Sequence, residues 1–360
     1  MTTRQLGAII VGTGFGILTH ARALRAAGFD IKAVVGRDPE KTRQRAAKFN
    51  IPMGLTDLSE ALALPGVDAV AVATPPHTHA AIVLAATAAG KHIVCEKPFA
   101  ANAEEAQQMY DAASAAGVVH FVGAEFRWQT SQALATKAVH DGLIGTPRMA
   151  QFILLVPALV ERSAEVPDWW GDRNQGGGWL GAYGSHVIDH IRHMLGDFTG
   201  VSATLELLSD HDWTADDAYS AHFRTSTGVS GVMQSSISAV GSFQSSLRVI
   251  GSSGSLWVEN DQVIISDATG QRTLEAGAYA NDHPVPPSAD LLVTAYDMLH
   301  SMGTDLAPYT KLYETFRNQI LGDSAPSDIA PATFADGVQM QKVLDAIRTA
   351  SAEKCWVDIN

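Results

Sequence analysis

Several stretches of the 360-residue sequence carry residue types able to hold a phosphate, move a proton or polarise an oxygen. Gly12-Thr13-Gly14-Phe15-Gly16-Ile17 follows an apolar run and opens a helical pattern. Glycines there allow a tight turn and bring main-chain N–H groups close to a pyrophosphate at a helix N-terminus. The third glycine of the usual Gly-x-Gly-x-x-Gly spacing is replaced by Ile17, with Gly16 beside it. That position mainly governs helix–strand packing, so phosphate contact survives the change. A plain tight turn is the alternative. Gly36-Arg37-Asp38 ends the second apolar run. An acidic side chain at that point reads a ribose 2′-hydroxyl, whereas an arginine suits the 2′-phosphate of NADP. Gly36 stands where the acid is expected and Arg37 follows, which favours NADP over NAD. Arg37 stacking on adenine would serve either cofactor, and Asp38 also suits a helix cap.

Thr74-Pro75-Pro76-His77-Thr78-His79 and Glu96-Lys97-Pro98 each follow an apolar run. Both fall at carboxyl ends of expected parallel strands, where open sheets bind their ligands. Lys97 could equally be an ordinary turn lysine. His186, Asp189, His190 and His193 share a helical segment. Two histidines four residues apart suggest a metal pair. No matching cysteine or carboxylate partner is evident, and His186 as a core histidine is a further alternative. Arg127 and Trp128 follow the last strand of the expected first domain, a good place for a ligand. An interdomain ion pair is the other reading of Arg127. Trp169 and Trp170, beside Asp172 and Arg173, suit a sugar ring or serve as core plugs. Cys95 reads as buried packing.

Elements must position these residues. Leu6–Val11, Ile31–Val35, Val67–Thr74, His92–Cys95 and Val118–Val122 read as buried strands. Helical patterns cover Ile17–Ala27, Pro39–Phe49, His79–Ala89 and Ala103–Ala116, several stopping at a glycine. This alternation predicts a parallel sheet covered on both faces. After Glu125 come a helix at Thr130–Asp141, a strand at Arg148–Val156, a Trp-, Asp- and Gly-rich loop at Pro167–Gly178 and a helix at Trp179–Leu195. Val201–Leu274 holds successive short strands without helices, which predicts an antiparallel sheet. Helices follow at Ser288–Ser301, Pro308–Leu321 and Pro331–Ala350, then an edge strand at Trp356–Ile359. Thr269–Pro287 looks least ordered. The expected division is a dinucleotide-binding domain over 1–123 and an α/β substrate and oligomerisation domain over 124–360. The last helix is free to pack back towards the first domain.

Composition narrows the classes. The chain has 25 Lys plus Arg against 38 Asp plus Glu, a net charge of −13, which argues against a general nucleic-acid binder. Its two cysteines exclude a disulfide scaffold and a four-cysteine zinc module, and fit a reducing compartment. No signal peptide or apolar run of about 18 residues is seen, so a cytoplasmic location is expected.

Together these pieces carry a resemblance. The glycine loop with His20 after it, the Thr74–His79 block, Glu96-Lys97-Pro98, and Gly176-Gly177-Gly178 leading to Gly184-Ser185-His186-Val187-Ile188-Asp189 match in order and spacing. Phe334-Ala335-Asp336-Gly337, Gln341 and Ile347-Arg348 extend the match. The chain resembles the glucose–fructose oxidoreductase / inositol dehydrogenase / MocA (Gfo/Idh/MocA) family over nearly its whole length. The resemblance implies an N-terminal Rossmann domain and a C-terminal α+β domain with a large, mostly antiparallel sheet. That sheet's open face would join subunits into a homodimer or homotetramer. It implies NAD(P)-dependent oxidation or reduction of a secondary alcohol or ketone of a sugar, cyclitol, glycoside or related polyol, with no metal. Lys97 and His186 would be catalytic. Gly12, Thr13, Gly14, Phe15, Gly16, Ile17, Arg37, Thr74, Pro75, His79, Glu96 and Lys97 would bind cofactor. Arg127, Trp169, Trp170, Tyr183 and Asp189 would bind substrate. Many relatives carry an aspartate four residues before the catalytic histidine, where this chain has Ala182. Redox-neutral glycoside cleavage or epimerisation assisted by nicotinamide, and a non-catalytic sensor, remain alternatives.

Overall fold

The computed structural model describes residues 4–280, 285–292, 294, 296–323 and 329–360. The first part of the chain runs β1 (Gly7–Val11), a π-helical turn (Gly16–His20) continuing into α1 (Ala21–Ala26), β2 (Asp30–Val35), α2 (Pro39–Lys48), β3 (Met53–Leu55) and α3 (Leu58–Leu62). It continues through β4 (Ala69–Val72), α4 (His79–Ala88), β5 (His92–Cys95), α5 (Ala103–Ala115) and β6 (His120–Val122). Next come α6 (Thr130–His140), β7 (Pro147–Leu155), a second π-helical turn (Leu180–Gly184) leading into α7 (Ser185–Leu195), and β8 (Phe198–Glu206). β9 (Ala218–Thr225), β10 (Ser230–Ser236), β11 (Gln244–Gly251), β12 (Gly254–Glu259), β13 (Gln262–Asp267) and β14 (Gly270–Thr273) follow. The chain ends with α8 (Leu306–Leu321), α9 (Phe334–Glu353) and β15 (Val357–Asp358).

The chain forms two compact units, 1–125 with 282–338, and 126–281 with 339–360. The first crossing falls at 125/126, and the sequence reading divides the chain at 123/124. The return over 282–338 adds a segment that the sequence reading leaves in the second domain, and the 338/339 division falls inside α9. The reason for the return is visible in the first unit. Val122 donates to the Ala332 carbonyl at 2.8 Å, Phe121 and Thr333 form an antiparallel bridge, and Phe334 is fully buried. On α8, Tyr313 and Phe316 pack against Phe29. Each fully buried ring or aliphatic side chain contributes about 1.5–3 kcal/mol.

The first unit's sheet has the order β3-β2-β1-β4-β5-β6, with every pairing parallel. β1, β4 and the last three residues of β5 are buried on both faces, as a sheet sandwiched by helices requires. Strand order reverses between β1 and β4, opening a crevice at their carboxyl ends. The second unit's sheet has the order β14-β13-β12-β11-β7-β10-β9-β8-β15; its pairings are antiparallel except β10 with β7.

The expected helix at Ser288–Ser301 is absent as such. Its described residues form two short 3-10 turns, Ala289–Leu291 and Tyr296–His300, while 293 and 295 lie outside the described residues. Gly303, with φ +69°, follows closely, and Thr294 and Asp297 spend their side chains on each other's backbone amides instead of helix propagation. Within Thr269–Pro287, β14 and a 3-10 turn at Gly277–Tyr279 are ordered elements, and 281–284 lie outside the described residues.

Candidate active site

The glycine loop sits at the carboxyl end of β1. Gly12 has φ +124°, and a Cβ there would collide with the Ala73 carbonyl, so only glycine fits this turn. At Gly14 an added Cβ would meet nothing within 4 Å, so the loop opens outward there. The amides of Thr13 and Gly14 enter none of the loop's backbone bonds among the described residues. An open rim with uncommitted amides at a helix start fits a pyrophosphate. The displaced third glycine is also explained. A Cβ on Gly16 would lie 2.8 Å from Ile10 Cγ2, so Gly16 provides the close helix–strand approach and Ile17 fills the core. Phe15 is half-buried and packs edge-on to His20 at 5.3 Å.

At the end of β2, a Cβ on Gly36 would lie 2.5 Å from Thr13 Cγ2 and collide with the Thr42 hydroxyl. No acidic side chain can occupy that position without displacing the loop. Asp38 is committed as the cap of α2, accepting from Lys41 N at 2.7 Å. Arg37 is exposed.

At the ends of β4 and β5, Thr74 and Pro75 are half-buried, and Thr78 donates to Thr74 Oγ1 at 2.7 Å. His79 is fully buried, with Nε2 2.8 Å from the Thr74 carbonyl and Nδ1 3.1 Å from the Phe99 carbonyl. A neutral ring donates to only one of them at a time. Burial holds this imidazole below its usual pKa, against the pull of the two carbonyls. His79 thus ties the β4 turn to the segment after Lys97, and its ring is fully buried between the two carbonyls.

Glu96 is 5 % exposed and gathers donors. Tyr309 donates to Oε1 at 2.5 Å, His20 Nε2 lies 3.1 Å from the same oxygen, and Lys97 N donates to Oε2 at 3.2 Å. Tyr313 OH sits 2.6 Å from His20 Nδ1, completing a chain Tyr313–His20–Glu96. Burial pushes this carboxyl up, but His20, Lys97 and Tyr309 together hold it below the usual range. Lys97 is half-buried. Glu125, directly after β6, is 3 % exposed. Burial drives its carboxyl well above the usual range, with the Glu96 charge adding to the shift and Lys97 opposing it. Sequence reading marked neither Glu125 nor Tyr309. An acid just beyond a third parallel strand was a usable signal for Glu125; Tyr309 offered none, because its contact spans 213 residues.

The second unit holds the remaining candidates. His186, near the start of α7, is 6 % exposed and stacks on Phe126, with centroids 3.9 Å apart and planes 15° apart. Trp169, Trp170, Trp179 and Tyr183 form a ring series, the last pair stacked at 5.2 Å. Trp169 and Tyr183 are half-buried, whereas Trp170 is 2 % exposed and acts as a plug. Arg127 and Asp189 meet in a buried bidentate pair, Nε–Oδ2 2.7 Å and Nη2–Oδ1 2.6 Å. Arg127 is therefore in an ion pair, but one inside the second unit, not the interdomain pair that the sequence reading offered. His190 packs edge-on to Phe152; burial pushes it down to about 3, with His193 and Arg127 adding to the shift. Among the described residues no group of three His, Cys, Asp or Glu converges as metal ligands would, and no helix is long and apolar enough to cross a membrane.

Comparison with known proteins follows this geometry. Residues 6–124 match the model of the Gfo/Idh/MocA oxidoreductase family with NAD-binding Rossmann fold, and residues 133–257 match the Gfo/Idh/MocA C-terminal domain. A levoglucosan dehydrogenase of Pseudarthrobacter phenanthrenivorans is 28 % identical, covering 91 % of this chain and 89 % of its own. A 1,5-anhydro-D-fructose reductase of Ensifer adhaerens is 33 % identical over 178 residues, 49 % of this chain and 52 % of its own. A solved levoglucosan dehydrogenase in complex with NADH and levoglucosan superposes with TM-score 0.84 at 26 % identity, covering 99 % of this chain and 100 % of that one. With both halves matched and the crevice, glycine loop and Glu96-Lys97 turn in place, the chain belongs to the Gfo/Idh/MocA family of oxidoreductases.

Proposed function

We propose that the protein transfers a hydride between a nicotinamide dinucleotide and a secondary alcohol or ketone carbon of a sugar, cyclitol, glycoside or related polyol. Lys97 and His186 act at the reacting carbon. The observation that carries this reading is the Glu96-Lys97 turn. A buried carboxylate, fixed by Tyr309 and His20, anchors the lysine at the carboxyl end of β5, in the sheet whose β1 turn opens onto uncommitted amides. The nicotinamide supplies the hydride acceptor or donor. The Lys97 ammonium hydrogen-bonds the substrate oxygen and stabilises the negative charge that develops there. His186 takes or returns the hydroxyl proton, as an imidazole does near neutral pH. Phe126, stacked against it, holds the ring plane.

Ala182 offers no carboxylate to orient the substrate, and Asp189 is engaged by Arg127. Tyr183 and Trp169 are the half-buried side chains left to face a sugar ring. The relatives named for levoglucosan and 1,5-anhydro-D-fructose favour a cyclic sugar with an internal anhydro bridge or a related pyranose. Association with a second copy would use the open face of the nine-stranded sheet, where Met149, Arg224 and Arg248 border a shallow cavity.

The test is oxidation of sugars, cyclitols and glycosides followed at the nicotinamide absorbance. Lys97→Met and His186→Ala should each lower kcat by roughly 10²–10⁴-fold while dinucleotide binding persists. Near-wild-type turnover in both overturns the assignment. Accumulating reduced nicotinamide separates net redox from redox-neutral cleavage or epimerisation. For the 2′ position, crowding at Gly36 and the commitment of Asp38 leave Arg37 to meet a 2′-phosphate. Arg37→Asp should shift the NADP-to-NAD ratio of kcat/KM by about tenfold or more towards NAD. An unmoved ratio removes the NADP preference.

A further inference from the structure

The Thr13–Gly14 peptide is held differently from the groups on either side of it. Gly12 N donates to the Val35 carbonyl of β2 at 2.9 Å, and the Gly14 carbonyl accepts from Ile17 N at 3.0 Å and Leu18 N at 3.1 Å. Between these anchors, the Thr13 carbonyl accepts a hydrogen bond from Arg45 Nη1. Arg45 stands on α2, and the sequence brings it to the loop in steps. Asp38 caps the helix through Lys41 N. Thr42 is buried against Gly36, where a Cβ would lie 2.4 Å from the Thr42 hydroxyl and 2.5 Å from Thr13 Cγ2. Arg45 follows Thr42 by three residues, so both lie on the helix face turned to the glycine loop. The missing side chain at Gly36 lets that face come close. Other cations of α2 pair with carboxylates, Arg43 with Glu40 and Lys48 with Asp290. Arg45 is half-buried and donates to a main-chain carbonyl instead. Burial lowers its pKa and the field of Asp297 raises it, and a guanidinium stays charged at every working pH.

We propose that Arg45 is a positioning residue for the dinucleotide pyrophosphate, acting through the Thr13–Gly14 peptide. This rests on the reading of the glycine loop as the pyrophosphate site. A trans peptide is planar, so its N–H points opposite to its C=O. With the Thr13 carbonyl drawn to Arg45, the Gly14 N–H is turned to the other side. That amide enters none of the backbone hydrogen bonds among the described residues, and a Cβ added on Gly14 meets nothing within 4 Å. The donor is thus fixed on the open rim before any phosphate arrives. Polarising the carbonyl at one end of the peptide also makes the N–H at the other end a stronger donor. Without Arg45 the peptide can turn, and ordering it on binding costs affinity. Arg45 touches no phosphate in this scheme. The exposed Arg37 is left to meet a 2′-phosphate, so the two arginines have separable roles: Arg37 tells NADP from NAD, and Arg45 serves both alike.

The test is fluorescence titration of the full-length protein with NADH and with NADPH. Arg45→Met removes the donor on the Thr13 carbonyl and should raise both dissociation constants by about tenfold and to the same degree, because the two cofactors share the pyrophosphate. Arg45→Lys keeps a donor of similar reach and should stay within about threefold of wild type. In turnover, the loss in Arg45→Met should fall on KM for the dinucleotide and not on kcat. A merely structural role would lower the unfolding temperature of the cofactor-free protein and leave both dissociation constants in place. If Arg45→Met does not fold, Arg45→Gln, which is too short to reach the carbonyl, carries the same expectation. Unchanged binding in the folded variant, a loss confined to NADPH, or an Arg45→Lys variant as weak as Arg45→Met overturns the proposal. A loss confined to NADPH would make Arg45 a reader of the 2′-phosphate. Wild-type protein that binds neither dinucleotide overturns the reading of the loop itself, whereas wild-type binding with an unchanged Arg45→Met overturns the role of Arg45 alone.

Discussion

The two units each bury a charged group, and they treat it differently. In the second unit Arg127 and Asp189 close on each other: one guanidinium, one carboxylate, two parallel hydrogen bonds, both side chains 4 % exposed. Such a pair balances its two charges and its forks are matched. In the first unit carboxyls accumulate. Glu96, Glu125 and Asp305 lie within one another's field, with Lys97, His20, Tyr309 and Tyr313 among them. The two buried glutamates there are driven apart: Glu96 is held below the usual carboxylate range and Glu125 is pushed above it. The contrast separates burial that fixes structure from burial that tunes chemistry. A matched pair holds a fold, whereas like carboxyls buried at strand ends are driven to different proton affinities.

Breaking the closed pair should produce the larger effect on stability. Arg127→Met leaves Asp189 buried without its counter-ion and should destabilise the protein by about 3–5 kcal/mol. Asp189→Leu should cost a similar amount by stranding the guanidinium. The double variant should recover much of the loss, since an apolar pair of similar volume replaces two desolvated charges. Thermal or denaturant unfolding of the three variants forms a double-mutant cycle. Additive losses would show that Arg127 and Asp189 do not act as a unit, and would remove the contrast with the first unit.

The same contrast marks how far the sequence could be read. The parallel sheet was legible because β1, β2, β4 and β5 are apolar runs and several helices between them end at glycine. β3 and α3 were missed. Three half-buried residues and five helical ones are too short to show a period, and α3 depends on the Asp57 cap, which accepts from Ser59 N and Glu60 N. β14 is exposed throughout and has no apolar alternation to detect. The return of 282–338 to the first unit rests on contacts such as Phe121 with Thr333, which no local pattern announces. The placement of the glycine loop after β1, of Glu96 and Lys97 after β5 and of His186 on α7 was legible from type and spacing. The pairing of Arg127 with Asp189, the buried ring of His79 and the donor set on Glu96 arise from packing between distant segments.

The smallest effect tests the open cluster through one hydroxyl. Tyr309 donates to Glu96 Oε1 at 2.5 Å, and the phenol is fully buried. Tyr309→Phe keeps the ring against His20 and removes only the donor. A hydrogen bond to a charged group contributes about 1.5–3 kcal/mol, so the variant should lose stability towards the low end of that range. The sign with pH follows from Glu96. Its carboxyl is held below the usual range in the folded protein, so its stabilisation is present above the unfolded value and is lost as pH falls through the folded one. Removing the Tyr309 donor lets the folded value rise. The difference in unfolding free energy between wild type and Tyr309→Phe should therefore be largest near neutral pH and shrink in acid as Glu96 protonates. A difference independent of pH would mean that Tyr309 serves packing alone and that Glu96 does not depend on it as a carboxylate.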